Sequence, residues 1–134
     1  MKYFSDSPER TREIARKFAE SLKGGDIVAL GGDLGAGKTV FVKGVAAALG
    51  VKAEIVSPTF TIFNRYDGGT LGLNHFDLYR LKGYAEAEAA GLAEFIGTAG
   101  TVTVIEWAEN VPEITADYSV MLRGVGSERE IEIV

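Results

Sequence analysis

The sequence contains no cysteine, only three prolines, and a single histidine. The absence of cysteine excludes disulfide bonds and metal sites built from thiolates. No apolar run is long enough to cross a bilayer, and residues 1–10 lack the apolar core of a signal peptide. The formal net charge of −5 argues against the clustered Lys and Arg with which proteins bind nucleic acid non-specifically. We therefore expect a cytoplasmic protein with no membrane partner.

The composition is otherwise that of an ordinary globular domain, with 46% hydrophobic and 25% charged residues. A length of 134 residues suffices for one domain with a substantial core and is too short for two ordinary ones. No repeat, linker or low-complexity segment divides the chain. We therefore predict a single domain over residues 1–134.

One stretch of the chain has a specific chemical pattern. Gly32-Asp33-Leu34-Gly35-Ala36-Gly37-Lys38-Thr39 satisfies G-x-x-x-x-G-K-[ST], the phosphate-binding P-loop. Its glycines let backbone N–H groups approach phosphate oxygens closely. Lys38 would place its charge against the β- and γ-phosphates of a nucleotide, and Thr39 would offer its hydroxyl to Mg²⁺. The residues predicted to bind nucleotide here are Asp33, Leu34, Gly35, Ala36, Gly37, Lys38 and Thr39.

The residues around this loop supply the strand and the helix that the motif requires. Residues 27–30 form a short apolar run that is typical of a buried parallel strand. After the loop, apolar residues recur at helical spacing up to Gly50, which favours a helix end. This apolar set comprises Val40, Phe41, Val45, Ala46 and Leu49. We expect Lys38 to face solvent at the start of this helix.

The rest of the chain alternates between predicted strands and helices. Ser7-Pro8-Glu9 predicts a helix start, and the following helix has an apolar face that ends before Gly24-Gly25. The predicted strands are 59–66 and 71–77, which form a hairpin around the turn 67–70, then 101–105, 118–123 and 130–134, the last two joined by the turn 124–127. Residues 84–96 predict one helix that Gly97 ends.

This alternation predicts an α/β fold: a P-loop NTPase-like three-layer domain. Its sheet should be mainly parallel, with helices on both faces and antiparallel strands at one edge. In such sheets the ligand lies at the carboxyl ends of the strands, which selects the polar residues worth considering.

Hydrolysis of a nucleotide also needs a carboxylate that holds Mg²⁺ and a group that orients the attacking water. Glu106 directly follows the apolar strand 101–105, and Asp77 ends the predicted hairpin. The sequence does not divide the two roles between these acids, although the position of Glu106 favours the metal. The alternative for each acid is a solvated strand end.

Four single residues each have two interpretations. Thr59, on a loop after the predicted helix, either contacts Mg²⁺ as a switch threonine does or lies in a Ser-Pro-Thr turn. A lone histidine such as His75 is more often structural than catalytic. Trp107 is either a core anchor or an aromatic residue at the mouth of the site. Thr11 could approach a nucleotide base, but we expect a solvated helix residue.

Four blocks of the sequence resemble the TsaE family (also called YjeE), bacterial P-loop ATPases of tRNA threonylcarbamoyladenosine (t6A) biosynthesis. They are residues 32–39, Ser57-Pro58-Thr59-Phe60, His75-Phe76-Asp77-Leu78-Tyr79-Arg80 and Glu106-Trp107. Their order and spacing match over nearly the whole chain. The first block is generic, whereas the second and third together are highly specific. Val40 and Ala108 depart from the family, which often has threonine and proline there.

The resemblance implies a protein that binds ATP or ADP with Mg²⁺ and hydrolyses ATP slowly. It implies TsaB and TsaD as partners, with tRNA reached indirectly, because TsaD transfers the threonylcarbamoyl group to adenosine 37 of tRNA. The ATPase cycle would reset this complex between turnovers. The implied site residues are Lys38 and Thr39 for phosphate and Mg²⁺, Thr59 for a switch loop, and Asp77, Glu106 and Trp107 for the active site and its partner-facing rim.

Three other functions are compatible with a phosphate-binding loop. A small-molecule kinase usually has an arginine-bearing lid, and residues 84–97 contain no arginine. A GTPase reads guanine with an N-K-x-D motif, which residues 64–67 (Asn-Arg-Tyr-Asp) only echo. A nucleotide-gated scaffold would differ from an ATPase only in not releasing phosphate. Arg80 is the best internal candidate for a charge near the γ-phosphate, and Arg65 fits a surface side chain.

Overall fold

The computed structural model describes residues 1–32, 37–58, 61–125 and 128–134, and its strands form one sheet. In chain order the elements are β1 (Lys2–Ser5), α1 (Pro8–Ala19), β2 (Ile27–Gly32), α2 (Lys38–Leu49), β3 (Phe63–Tyr66), β4 (Gly72–Asp77), α3 (Tyr84–Ala89), α4 (Leu92–Phe95), β5 (Thr101–Glu106), a 3₁₀ turn (Ala108–Asn110), β6 (Tyr118–Val125) and β7 (Glu128–Ile133).

The strand order in the sheet is β1-β7-β6-β2-β5-β4-β3. β2 lies at the centre, parallel to β5 and β6, and β4 adds a further parallel strand beside β5. Antiparallel pairs join β3 to β4, β7 to β6 and β1 to β7. The antiparallel strands therefore stand at both edges, not at the single edge expected, because the hairpins β3–β4 and β6–β7 close the sheet on opposite sides.

Two apolar clusters cover opposite faces of this sheet, because successive residues of a strand point to opposite sides. α1 and α2 pack on one face, over Leu30 and Val104. α3 and α4 pack on the other face, over Phe76 and Ile105. The central parallel strands are covered on both sides, which explains their continuous apolar sequence. The predicted α/β architecture is confirmed. No helix within the described ranges has the length and hydropathy needed to span a bilayer.

Residues at the helix ends explain why one helix prediction is correct and another is wrong. The Oγ of Ser7 accepts the backbone N–H of Arg10 at 3.1 Å and caps α1, as its sequence indicated. The single helix predicted over 84–96 is wrong, since α3 ends at Ala89 and α4 begins at Leu92. Gly91 separates them with φ 95°, a left-handed conformation that glycine favours.

Four further expectations, about strand bounds and about Thr11, need correction. β3 starts at Phe63, because Ile62 has φ 69° and breaks the extended backbone before it. Residues 59 and 60 of the predicted strand lie outside the described residues. Residues 2–5 were not expected to form a strand, yet they pair with β7. Thr11 is consequently buried, with its Oγ1 2.7 Å from the Oγ of Ser5, and is not a solvated residue. β6 and β7 also extend to residues 125 and 128, which shortens the predicted turn.

Candidate active site

The predicted phosphate loop lies between the central strand and α2. β2 ends at Gly32 and α2 begins at Lys38, so the strand and the helix that the motif requires are both present. Gly37 precedes α2 with φ 93°, which a residue with a side chain rarely adopts. The N-terminus of α2 therefore lies at the carboxyl end of β2, where the helix dipole favours an anion. Residues 33–36 lie outside the described residues, so their phosphate contacts stay predictions.

Glu106 and Asp77 lie side by side at the same end of the sheet. The register pairs Glu106 of β5 with Leu30 of β2 and with Asp77 of β4. Paired residues on parallel neighbours point to the same face, so both acids share the face that α2 covers. Both side chains are buried, and neither is therefore a solvated strand end.

Lys38 extends from the first turn of α2 onto Glu106. Its Nζ lies 3.5 Å from Oε1 of Glu106, and its side chain is only 10% exposed. The same Nζ lies 5.5 Å from the centroid of the Trp107 ring, which is within cation–π distance. The expectation of a solvent-facing lysine is therefore wrong, because a carboxylate and an aromatic face cover its charge.

The second carboxylate oxygen of Glu106 contacts His75. Nε2 of His75 lies 2.7 Å from Oε2 of Glu106, and the ring is fully buried. An ionised carboxylate can only accept a hydrogen bond, so Nε2 carries the proton and donates it. His75 lies two residues before Asp77 on β4 and therefore points to the same face. His75 is thus a buried, hydrogen-bonded residue, as the structural interpretation expects, but it bonds to a carboxylate of the candidate site.

Burial by itself raises the pKa of Glu106. The hydrogen bond from His75 and its electrostatic interaction with the carboxylate, followed by the charge of Lys38, outweigh burial and hold the pKa of Glu106 below its ordinary value of 4.5. Glu106 is therefore ionised at neutral pH, which suits a group that binds cations.

This lowered pKa predicts an acid-dependent loss of stability. A carboxyl group whose folded-state pKa lies below its unfolded value stabilises the fold above the unfolded pKa and loses this contribution as pH falls through the folded pKa. We expect the free energy of unfolding of the parent to decline more steeply below pH 4.5 than that of Glu106→Gln. Urea unfolding of both proteins across the acid range measures the difference, and parallel pH profiles would contradict the ion pairing.

The loops after β4 and β5 form the rim of the site. Oδ1 of Asp77 accepts the backbone N–H of Tyr79 at 2.9 Å, which turns the chain at the end of β4. Trp107 has φ 61°, an uncommon conformation for a residue with a side chain, and its ring lies 4.9 Å from that of Tyr79. Nδ2 of Asn110 donates to the carbonyl of Leu78 at 2.8 Å and ties the two loops together. Tyr79 is 60% exposed, so the rim presents aromatic surface beside Lys38.

The donor set at the site fits Mg²⁺ that arrives with a nucleotide. No group of three or more His, Asp or Glu in the described ranges could hold a metal ion. Thr39, in the first turn of α2, and Glu106 would supply one hydroxyl and one carboxylate. Mg²⁺ is typically held by one or two protein oxygens, with phosphates and water completing its shell. A metal would therefore bind here together with phosphate and not alone.

Other predicted site residues lie elsewhere or outside the described part of the chain. Thr59 falls outside the described residues, so its switch role stays a prediction. Arg65 lies on the outer strand β3, away from Lys38. Its guanidinium carbon is 5.7 Å from the centroid of the Phe95 ring. Arg80 is exposed directly after Tyr79. Sequence reasoning missed the link from His75 to Glu106, although a histidine and an aspartate two positions apart on an otherwise buried strand signal a shared polar face.

The fold and this site together define a class of protein. The protein is an α/β domain in which a strand and a helix flank G-x-x-x-x-G-K-T, and a buried glutamate ends the neighbouring strand. The family model described as "Threonylcarbamoyl adenosine biosynthesis protein TsaE" matches residues 5–131. The chain belongs to the TsaE family, as its sequence blocks indicated.

Individual relatives agree with this assignment. The tRNA threonylcarbamoyladenosine biosynthesis protein TsaE of Bacillus subtilis is 41% identical over 134 residues, which cover 98% of this chain and 83% of that protein. The tRNA threonylcarbamoyladenosine biosynthesis protein TsaE of Treponema pallidum is 40% identical over 137 residues, which cover 99% of this chain and 99% of that protein. The crystal structure of YdiB from Bacillus subtilis superposes with a TM-score of 0.78 at 37% identity, covering 98% of this chain and 82% of that chain.

Proposed function

We propose that this protein binds ATP or ADP with Mg²⁺, hydrolyses ATP slowly, and acts with TsaB and TsaD in tRNA t6A biosynthesis in the cytoplasm. The observation that carries the proposal is the contact between Lys38 and Glu106. The lysine of a phosphate-loop motif and a buried carboxylate at a strand end meet at 3.5 Å. Phosphoryl transfer depends on these two charges, one for the phosphates and one for the metal.

Each residue at the site has a role in this proposal. Lys38 would leave Glu106 and donate hydrogen bonds to phosphate oxygens. Thr39 and Glu106 would hold Mg²⁺, which when bound neutralises charge on the phosphates. Asp77 shares the buried face with Glu106 and would orient the attacking water. The partner complex, and not this acidic chain, would contact tRNA, in agreement with its net charge of −5.

An assay of phosphate release from ATP and GTP tests this proposal against the alternatives. We expect the purified protein with Mg²⁺ to release phosphate slowly from ATP. Transfer of phosphate to a small-molecule acceptor would identify a kinase, and a preference for GTP would identify a GTPase. Binding of ATP without phosphate release would identify a nucleotide-gated scaffold.

The aromatic rim gives a prediction about the partner complex. We expect weak ATPase activity alone and a changed rate when TsaB–TsaD is added, because nucleotide state can reshape the surface beside Lys38. Trp107→Ala should reduce this response strongly while weakening ATP binding less than about fivefold, which corresponds to a cation–π contact of about 1 kcal/mol. Titrations of ATP hydrolysis against TsaB–TsaD measure both effects.

The control for this prediction is Phe4→Ala. Phe4 is an exposed aromatic residue, as Tyr79 of the rim is, but it lies on the edge strand β1. This variant should respond to TsaB–TsaD as the parent does. An identical ATPase rate with and without the complex, at concentrations where binding is shown independently, would break the proposed link to tRNA modification.

A further inference from the structure

As a purely structural residue, His75 would lower the stability of the fold. Its ring is fully buried in β4, and Nδ1 has no hydrogen-bond partner among the described residues. A buried polar atom without a partner costs free energy, whereas an apolar residue of similar size would avoid this cost. The contact with Glu106 is the one hydrogen bond that the ring makes within the described residues. This contact therefore points to a role at the site.

The two oxygens of Glu106 have different neighbours. Oε2 accepts the hydrogen bond from His75 at 2.7 Å, whereas Oε1 lies 3.5 Å from the cationic Nζ of Lys38. The terminal torsion of a glutamate is soft, so an unsupported carboxylate would rotate and offer either oxygen. The fully buried imidazole, which lies on the same face of the sheet, holds this torsion through its hydrogen bond to Oε2. Oε1 is thereby left as the oxygen that faces Lys38.

We infer that His75 is the positioning residue that presents Oε1 of Glu106 first to Lys38 and then, when nucleotide arrives, to the metal. The inference rests on the proposed function and assigns the residue that couples metal to nucleotide binding. Mg²⁺ would take the oxygen that Lys38 occupies, and the released lysine would become available to phosphate. Hydrogen bonds that orient metal ligands typically contribute about 10- to 100-fold to metal affinity.

Calorimetric titration of ADP, in Mg²⁺ and in EDTA, tests this inference without any measurement of activity. The ratio of the two affinities is the enhancement by Mg²⁺. His75→Leu should lower this enhancement about tenfold or more and change the affinity in EDTA less than about threefold. His75→Gln should restore most of the enhancement, because its amide nitrogen extends as far as Nε2 and can donate to Oε2.

Asn74→Ala is the matched control. Asn74 is the preceding buried residue on β4, points to the opposite face and donates to the carbonyl of Phe95 at 3.1 Å. Its loss should destabilise the fold and leave the enhancement by Mg²⁺ unchanged. If His75→Leu does not fold, His75→Asn replaces it, because its shorter amide cannot reach Oε2. The asparagine variant should then lose the enhancement that the glutamine variant keeps.

The outcomes separate this inference from the proposed function. A parent protein whose ADP affinity does not rise with Mg²⁺ would overturn both. A normal enhancement in the parent that persists in His75→Leu, or that is equal in the glutamine and asparagine variants, would overturn the role of His75 alone. An enhancement lost without His75, restored by glutamine and unaffected by Asn74→Ala would support the inference.

Discussion

Lys38→Ala should weaken the binding of ATP with Mg²⁺ about 100-fold. The lysine would contribute charge-assisted contacts to the phosphates that together stabilise the complex by about 3 kcal/mol. Because Lys38 also pairs with Glu106 and lies over Trp107, the variant should lose some stability but still fold. Glu106 would keep its hydrogen bond to His75. Calorimetric titration with ATP and Mg²⁺ measures the affinity, and urea unfolding measures the stability.

The matched control is Lys43→Ala. Lys43 lies on the same helix but is exposed. Its removal changes the net charge equally, so it should alter ATP affinity by less than about threefold through screened electrostatics. Unchanged affinity in Lys38→Ala, or equal losses in the two variants, would contradict a specific phosphate contact by Lys38.

Glu106→Gln should have opposite effects on hydrolysis and on metal-free binding. Loss of the carboxylate removes a metal ligand, so kcat should fall at least about tenfold. The neutral amide also releases Lys38 from its ion pair, so ATP should bind more tightly than to the parent when EDTA removes Mg²⁺. Asp77→Asn should lower kcat by at least about tenfold as well, while nucleotide binding is largely kept.

Glu109→Gln serves as the control for this pair of effects. Glu109 lies in the 3₁₀ turn after Trp107, and it is exposed. It carries the same charge and stands three residues from Glu106. Neither kcat nor metal-free binding should change in this variant. Hydrolysis at the parent rate in Glu106→Gln would exclude a catalytic role for the carboxylate. Weaker binding of ATP in EDTA would exclude the idea that Glu106 and the phosphates compete for Lys38.

Local sequence signals predicted the parts of the fold that depend on neighbouring residues. The glycine loop located β2 and α2, Ser7 and Pro8 located the start of α1, and the apolar run before Glu106 located β5. Each of these signals arises within a few residues of the chain. The break at Gly91 was missed because alanine and glutamate on both sides favour a helix more strongly than one glycine opposes it.

The contacts within the site depend on the register of the sheet, which the sequence did not predict. Lys38 and Glu106 are distant in the chain and meet because β2 pairs with β5 in the register that places Leu30 beside Glu106. His75 reaches Glu106 because β4 adds to β5 in the register that pairs Asp77 with Glu106. Such contacts depend on packing between strands, which composition and local periodicity do not specify.

A crystal structure with Mg²⁺ and a non-hydrolysable ATP analogue would test the shared use of Glu106 most directly. We predict phosphates at the loop that joins β2 to α2, with Nζ of Lys38 moved from Oε1 of Glu106 to a phosphate oxygen. Mg²⁺ should contact Oε1, while the hydrogen bond between His75 and Oε2 stays near 2.7 Å. A nucleotide bound elsewhere, or a Lys38–Glu106 contact retained at 3.5 Å with nucleotide at the loop, would contradict the site described above.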